Sequence, residues 1–193
     1  MREIVKLKSE EKGQLRKLAL SRRNALSSLE RKAAEEKIAA KLLKHPALER
    51  ANIVMCYKSI RSELPTDALI QALESRGKTL CYPVCGKLGV MQAYSPVDNT
   101  AWKHGMMGIV EPDVENSRLI APEDIDLVIC PMVAFDHHKQ RMGYGAGYYD
   151  RYLPRCKNAF VMGIAFEAQR MDNIITDEYD IAMNAIITEE NEY

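Results

Sequence analysis

Residues 141–153, RMGYGAGYYDRYL, hold the chain's clearest chemistry: glycines at 143, 145 and 147, followed by the adjacent Tyr148 and Tyr149 and by Asp150, with arginines at 141 and 151. Glycines at alternate positions admit left-handed backbone and keep side chains away from N–H groups that can face a phosphate, and the helix that follows adds unpaired N-terminal donors. Each such contact is worth only about 0.3–1 kcal/mol, so a polyphosphate also needs cations, which Arg141 and Arg151 could supply in part. The spacing matches neither G-x-x-x-x-G-K-[ST] nor G-x-G-x-x-G. Spacing alone leaves two readings, an anion cradle and a flexible turn with incidental charges. Asp150 is either the carboxylate that places magnesium beside a phosphate or an acidic residue favoured in a first helical turn. Tyr148 and Tyr149 either pack the helix or stack on a flat heterocycle.

The surrounding pattern supplies the elements that must hold this loop. Ser9 to about Ala25 reads as a helix, with Leu15, Leu18 and Arg22 marking one face opposite a basic one. A second helix follows, opened by a Ser27/Glu30 capping box, with Leu29, Ala33, Ala40 and Leu43 at helical spacing and Pro46 as its stop. Then NIVMCY reads as a strand, TDALIQALESRG as a helix between Thr66 and Gly77, and KTLCYPV as the next strand. GVMQAYS suggests a further strand, whereas DNTAWKHGMMGIVEPD reads as irregular. DIDLVICPMVAFD is the strongest buried strand, the glycine loop follows its carboxyl end, and YYDRYLPR, AFVMGIAF and NAIIT supply a helix and two strands. The expectation is one α/β domain over residues 1–193: a three-layer α/β/α arrangement with a mostly parallel, Rossmann-like sheet. Two N-terminal helices, over about 9–45, pack on the body 50–193, with ligands at the strands' carboxyl ends.

Composition excludes several classes. Lys plus Arg and Asp plus Glu both number 27, so no net field favours nucleic acid or an acidic membrane. Five cysteines, mostly within apolar runs, fit reduced core thiols better than disulfides; Cys81 and Cys85 lack a second pair at zinc spacing. With no apolar run of membrane length and a charged N-terminus, a cytoplasmic protein is expected. His137 and His138 read as a solvated turn, SRRNAL as a solvated helix face, PEDID as a helix start or turn. No nucleophile elbow or triad is apparent.

PMVAFDHHKQRMGYGAGYYDRYL, together with KGQLR, SIRSELPTDALI, GIVEPD and DEYDIAMNAIITEE, resembles the 5-formyltetrahydrofolate cyclo-ligase family over nearly the whole chain. The resemblance implies ATP-dependent closure of 5-formyltetrahydrofolate to 5,10-methenyltetrahydrofolate, with Mg2+ required and ATP as co-substrate. By the same resemblance Lys12 and Arg16 meet ATP phosphates, and Arg141, Met142, Gly143, Tyr144, Gly145, Ala146, Gly147, Tyr148 and Tyr149 form the ATP loop. Tyr144 to Tyr148 (Tyr144, Gly145, Ala146, Gly147, Tyr148) also face the folate, with Lys58, Glu63 and Met107. Asp150 and Asp180 are the magnesium carboxylates, and Arg141, Tyr149 and Asp150 the catalytic set. Ala146 and Met107 depart from the pattern, where a glycine or lysine and an aromatic are common. The implied partners are small molecules, with a monomer or weak homo-oligomer. A non-catalytic folate- or nucleotide-binding relative and another small-molecule ligase are the alternatives.

Overall fold

Helix α1 runs Arg2–Ala25 in the computed structural model, which describes residues 2–98, 100–105 and 108–193. It begins earlier than the apolar spacing predicts and turns a different face inward: Ala19 and Arg23 are buried, while Leu18 is 45% exposed. Helix α2, Ser28–Leu42, starts at the expected capping box, Ser27 accepting from Glu30 N and Glu30 from Ser27 N. Its buried stripe is Ala34, Ile38 and Leu42, a clean i, i+4 ridge, so Leu29, Ala33 and Ala40 are exposed, contrary to the expected face. Pro46 opens a new short helix, α3 (Pro46–Arg50), with His45 Nδ1 accepting from Ala47 N at 3.1 Å. Its missing N–H costs nothing at a helix start.

The remaining elements are β1 (Ile53–Met55), α4 (Asp67–Ser75), β2 (Thr79–Cys85), β3 (Met91–Pro96), β4 (Trp102–His104), β5 (Val110–Pro112) and β6 (Ser117–Ile120). They continue with β7 (Leu127–Cys130), β8 (Ala134–Phe135), β9 (Arg141–Met142), α5 (Tyr148–Tyr152), β10 (Phe160–Ile164) and β11 (Ala185–Ile187). Seven strands make one sheet in the order β11-β10-β7-β1-β2-β3-β6. Its body from β11 to β2 is parallel, and β3 and β6 extend it antiparallel. The segment expected to be irregular instead pairs β4 with β5 as a hairpin, Trp102 opposite Pro112. A second hairpin, β8–β9, stands between β7 and the glycine loop, which therefore does not leave β7 directly.

Alternation along the central strands divides the core. Val54, Leu127 and Ile129 pack with Ile38, Leu48, Leu69 and Leu73 on one face. Met55, Val128 and Cys130 pack with Tyr152, Leu153 and Cys156 on the other. Helical side chains thus flank both faces. From β1 the chain passes through α4 to β2, while β7 lies on β1's other side, so the strand order reverses between β1 and β7 and opens a crevice at their carboxyl ends. The five cysteines are free, and burial pushes Cys56 and Cys130 up to about 12. Among the described residues no helix is long and apolar enough to cross a membrane.

Candidate functional site

Past β1, the chain folds into a tight turn. Thr66 stands at the N-cap of α4, where the helix was expected to open, but its hydroxyl makes no cap bond and donates to Tyr57 O at 2.7 Å, and the Tyr57 hydroxyl donates to Leu64 O at 3.1 Å. Arg61 takes φ 53°, a left-handed conformation uncommon for a side chain of its size. Glu63 is buried and accepts from Ile60 N at 3.0 Å through Oε2. Burial raises its pKa, opposed by the Ile60 N–H, the Arg23 charge, the Tyr144 hydroxyl and Arg61.

Past β7, the fully buried Asp136 shapes the β8–β9 hairpin by accepting from His138 N and Gln140 N, and it ties the hairpin to Ile174 N at 2.8 Å. This sets Arg141 and Met142 at the mouth of the glycine loop. Gly145 (φ 105°) and Gly147 (φ 66°) are left-handed, Gly147 at the N-cap of α5, so two of the three glycines are required by backbone geometry. Arg16 Nε donates to Gly143 O at 2.9 Å, and a Cβ on Gly145 would lie 3.4 Å from its guanidinium. Arg151 donates to Ala146 O and, at 3.2 Å, to Gly89 O; Tyr148 donates to Gly86 O at 3.0 Å. These bonds lash the loop to the β2–β3 turn.

Arg141 is buried, pairs with Asp150 Oδ1 at 2.6 Å, and lies 5.3 Å from the Tyr149 ring centroid. Its Nε and the Tyr149 hydroxyl are buried polar groups without a hydrogen-bond partner among the described residues. Such groups cost about 1–3 kcal/mol each. Burial also holds the Tyr149 phenol well above its ordinary pKa, so it stays a neutral donor. Lys12 Nζ lies 2.7 Å from Asp180 Oδ2 and 2.9 Å from Asp177 Oδ2. Burial pulls its pKa down, but the hydrogen bonds to Asp180 and Asp177 outweigh this and raise it.

The fold therefore unites Lys12 with Asp180, Arg16 with the glycine loop, Arg141 with Asp150 and Tyr149, and Tyr144 with Glu63. Asp150 is held by Arg141 and Asp180 by Lys12. They sit in separate ion pairs, and no group of three or more metal-capable side chains occurs among the described residues. Lys58 pairs with Asp67 at 3.1 Å and lies 5.3 Å above the Trp102 ring. Met107 lies outside the described residues.

Sequence reasoning missed Arg23 and Asp177. Arg23, in the SRRNAL segment expected to be solvated, is 1% exposed. A signal was present: Lys12, Arg16, Ala19 and Arg23 are four, three and four residues apart, one helix face. Burying that face carries its cations into the crevice.

Fold and site together define an α/β protein whose buried and half-buried arginines meet the loops that follow β1 and β7, beside the switch point of its sheet. The model of the 5-formyltetrahydrofolate cyclo-ligase family matches residues 8–189. The chain belongs to that family and is an enzyme of that kind. The Haemophilus influenzae 5-formyltetrahydrofolate cyclo-ligase is 29% identical over 168 residues, 84% of this chain and 89% of its own. The Mycoplasma genitalium 5-formyltetrahydrofolate cyclo-ligase is 31% identical over 181 residues, 92% of this chain and 97% of its own. The solution structure of Aquifex aeolicus 5,10-methenyltetrahydrofolate synthetase superposes with a TM-score of 0.82 at 32% identity, covering 94% of this chain and 91% of that one.

Proposed function

We propose that this chain converts 5-formyltetrahydrofolate to 5,10-methenyltetrahydrofolate using ATP, with release of ADP and phosphate. The observation that carries the reading is the pair of buried, unpartnered donors, Arg141 Nε and the Tyr149 hydroxyl, beside Asp150 at the end of a glycine loop. A phosphoryl group is the ligand whose oxygens suit two such donors.

The N5-formyl amide is a poor electrophile. Transfer of the γ-phosphoryl group from ATP to the formyl oxygen breaks the terminal P–O bond, releases ADP and leaves an activated imidate-like phosphate. N10 then attacks the formyl carbon, closing the ring, and loses its proton, and phosphate departs with the former formyl oxygen to leave the methenyl bridge. Such transfer depends on positioning and charge stabilisation, so no protein nucleophile is needed. Arg16 and Lys12 hold phosphate oxygens, Arg141 and Tyr149 donate to the transferring group, and the loop N–H groups line its backbone side. On the folate side, Glu63 accepts from the pterin, Tyr144 and Tyr148 wall the pocket, and Lys58 offers its cation at the rim.

Asp150 and Asp180 would hold magnesium. The donor chemistry fits: both are carboxylates, the oxygen ligands magnesium takes alongside phosphate, and each lies against a cation proposed for ATP, Asp150 on Arg141 and Asp180 on Lys12. When bound, the ion supplies neutralisation of the phosphate charge.

The test is to mix the protein with 5-formyltetrahydrofolate and Mg-ATP and follow the near-ultraviolet absorbance of the methenyl product. Growth that requires ATP is expected, and its absence overturns the reading. An unchanged rate in Asp150→Ala would remove Asp150 from the metal set.

A further inference from the structure

One guanidinium reaches three segments of the site. Arg23 Nε donates to Ser62 Oγ at 3.0 Å, Nη1 to Met132 O at 3.4 Å, and Nη2 to the Tyr144 hydroxyl at 2.8 Å. Ser62 belongs to the turn after β1 that carries Glu63, Met132 follows the end of β7, and Tyr144 lies in the glycine loop. Glu63 follows Ser62 directly, and the Tyr144 hydroxyl acts to lower the Glu63 pKa. The Tyr144 ring centroid is 6.0 Å from the Arg23 guanidinium carbon and 5.9 Å from that of Arg61, the residue in left-handed backbone.

Burying an arginine is costly unless each donor is used. Here every nitrogen of the fork bonds a different segment, which a lysine could not reproduce. Tyr144 and Ser62 accept from the same guanidinium, so the glycine loop and the Glu63 turn share one hydrogen-bonded path. A loop fixed by ATP would therefore fix the turn as well.

We propose that Arg23 is a positioning residue that couples the glycine loop, through Tyr144, to the Glu63 turn, through Ser62, so that nucleotide binding pre-orders the folate side of the site. The proposal rests on the functional reading above.

Hydrogen exchange with Mg-ATP as the only ligand reads the coupling without turnover. The expected result is slower exchange across both 143–147 and 59–63 in the unaltered protein, and across 143–147 alone in Arg23→Lys and Tyr144→Phe. Slowing confined to 143–147 in the unaltered protein overturns the coupling and leaves the functional reading standing. No slowing anywhere overturns both.

Kinetics provide the second readout. Each single variant is expected to raise KM for 5-formyltetrahydrofolate about fivefold or more, with kcat within about threefold, and the double variant to be no worse than Arg23→Lys. Additive losses, or a fall in kcat with KM unchanged, overturn the proposal. Should Arg23→Lys fail to fold, Tyr144→Phe carries the test, since Tyr144 is 42% exposed.

Discussion

Lys12 Nζ donates to Asp180 Oδ2 at 2.7 Å, joining helix α1 to a segment 168 residues further along. Asp177 completes the contact, accepting from Lys12 at 2.9 Å while its own N–H donates to Asp180 Oδ2 at 2.8 Å. The cation proposed for ATP and a carboxylate proposed for magnesium thus neutralise one another when neither ligand is bound. Removing either leaves the other charged and half-buried.

Asp177→Asn tests this latch through pH. The Lys12 bond holds the Asp177 carboxyl below its ordinary 3.8, so its contribution is present above 3.8 and is lost as pH falls through the lower folded value. The raised Lys12 pKa works oppositely: its contribution is full below 10.5 and is lost as pH rises past the folded value. The melting temperature of Asp177→Asn should lie below that of the unaltered protein across the range between, with the gap closing below 3.8. A partly exposed pair is worth about 1 kcal/mol or less, so the gap should be only a few degrees.

Asp150→Asn should lower kcat by about a hundredfold or more, the scale for losing one group that stabilises transition-state charge. The amide oxygen can still accept from Arg141, so folding should persist. Titrating magnesium at fixed ATP checks the role: half-saturation should move to higher metal in the variant.

Gly145→Ala places a side chain at φ 105° and 3.4 Å from the Arg16 guanidinium. Strain of about 1–3 kcal/mol follows. At about 2–4 °C per kcal/mol for a chain of this size, calorimetry should show a fall of a few degrees, and KM for ATP should rise more than KM for the folate.

Glu63→Gln separates stability from binding. Burial raises the Glu63 pKa above 4.5, so the ionised form works against folding: its relative stability is greatest below 4.5 and declines as pH rises through the folded value. The variant should melt higher than the unaltered protein at neutral pH and converge with it in acid. KM for 5-formyltetrahydrofolate should rise about tenfold or more, the scale of one charged hydrogen bond.

Much of the fold was legible because its signals are local. The Ser27/Glu30 box, the β-branched and apolar runs of β1, β7 and β10, and the stop at Gly77 with φ 71° each depend on neighbours a few residues away. Where the reading failed, the deciding partner was distant. Apolar spacing on α2 fits Leu29–Ala33–Ala40 or Ala34–Ile38–Leu42, and only the sheet beneath selects the second. The β4–β5 hairpin went unread because its strands are short and marked by glycine and proline.

By itself the sequence determined the glycine loop, the cation spacing of four on α1 and the signature that resembles one family, since these are patterns of adjacent residues. Only the tertiary structure decided that Arg16 meets Gly143, that Arg141 is paired with Asp150 yet keeps an unused donor, and that Arg23 is buried among three segments. The reason is physical: a charge enters the interior only where distant groups supply its hydrogen bonds, and no local spacing encodes which groups those are.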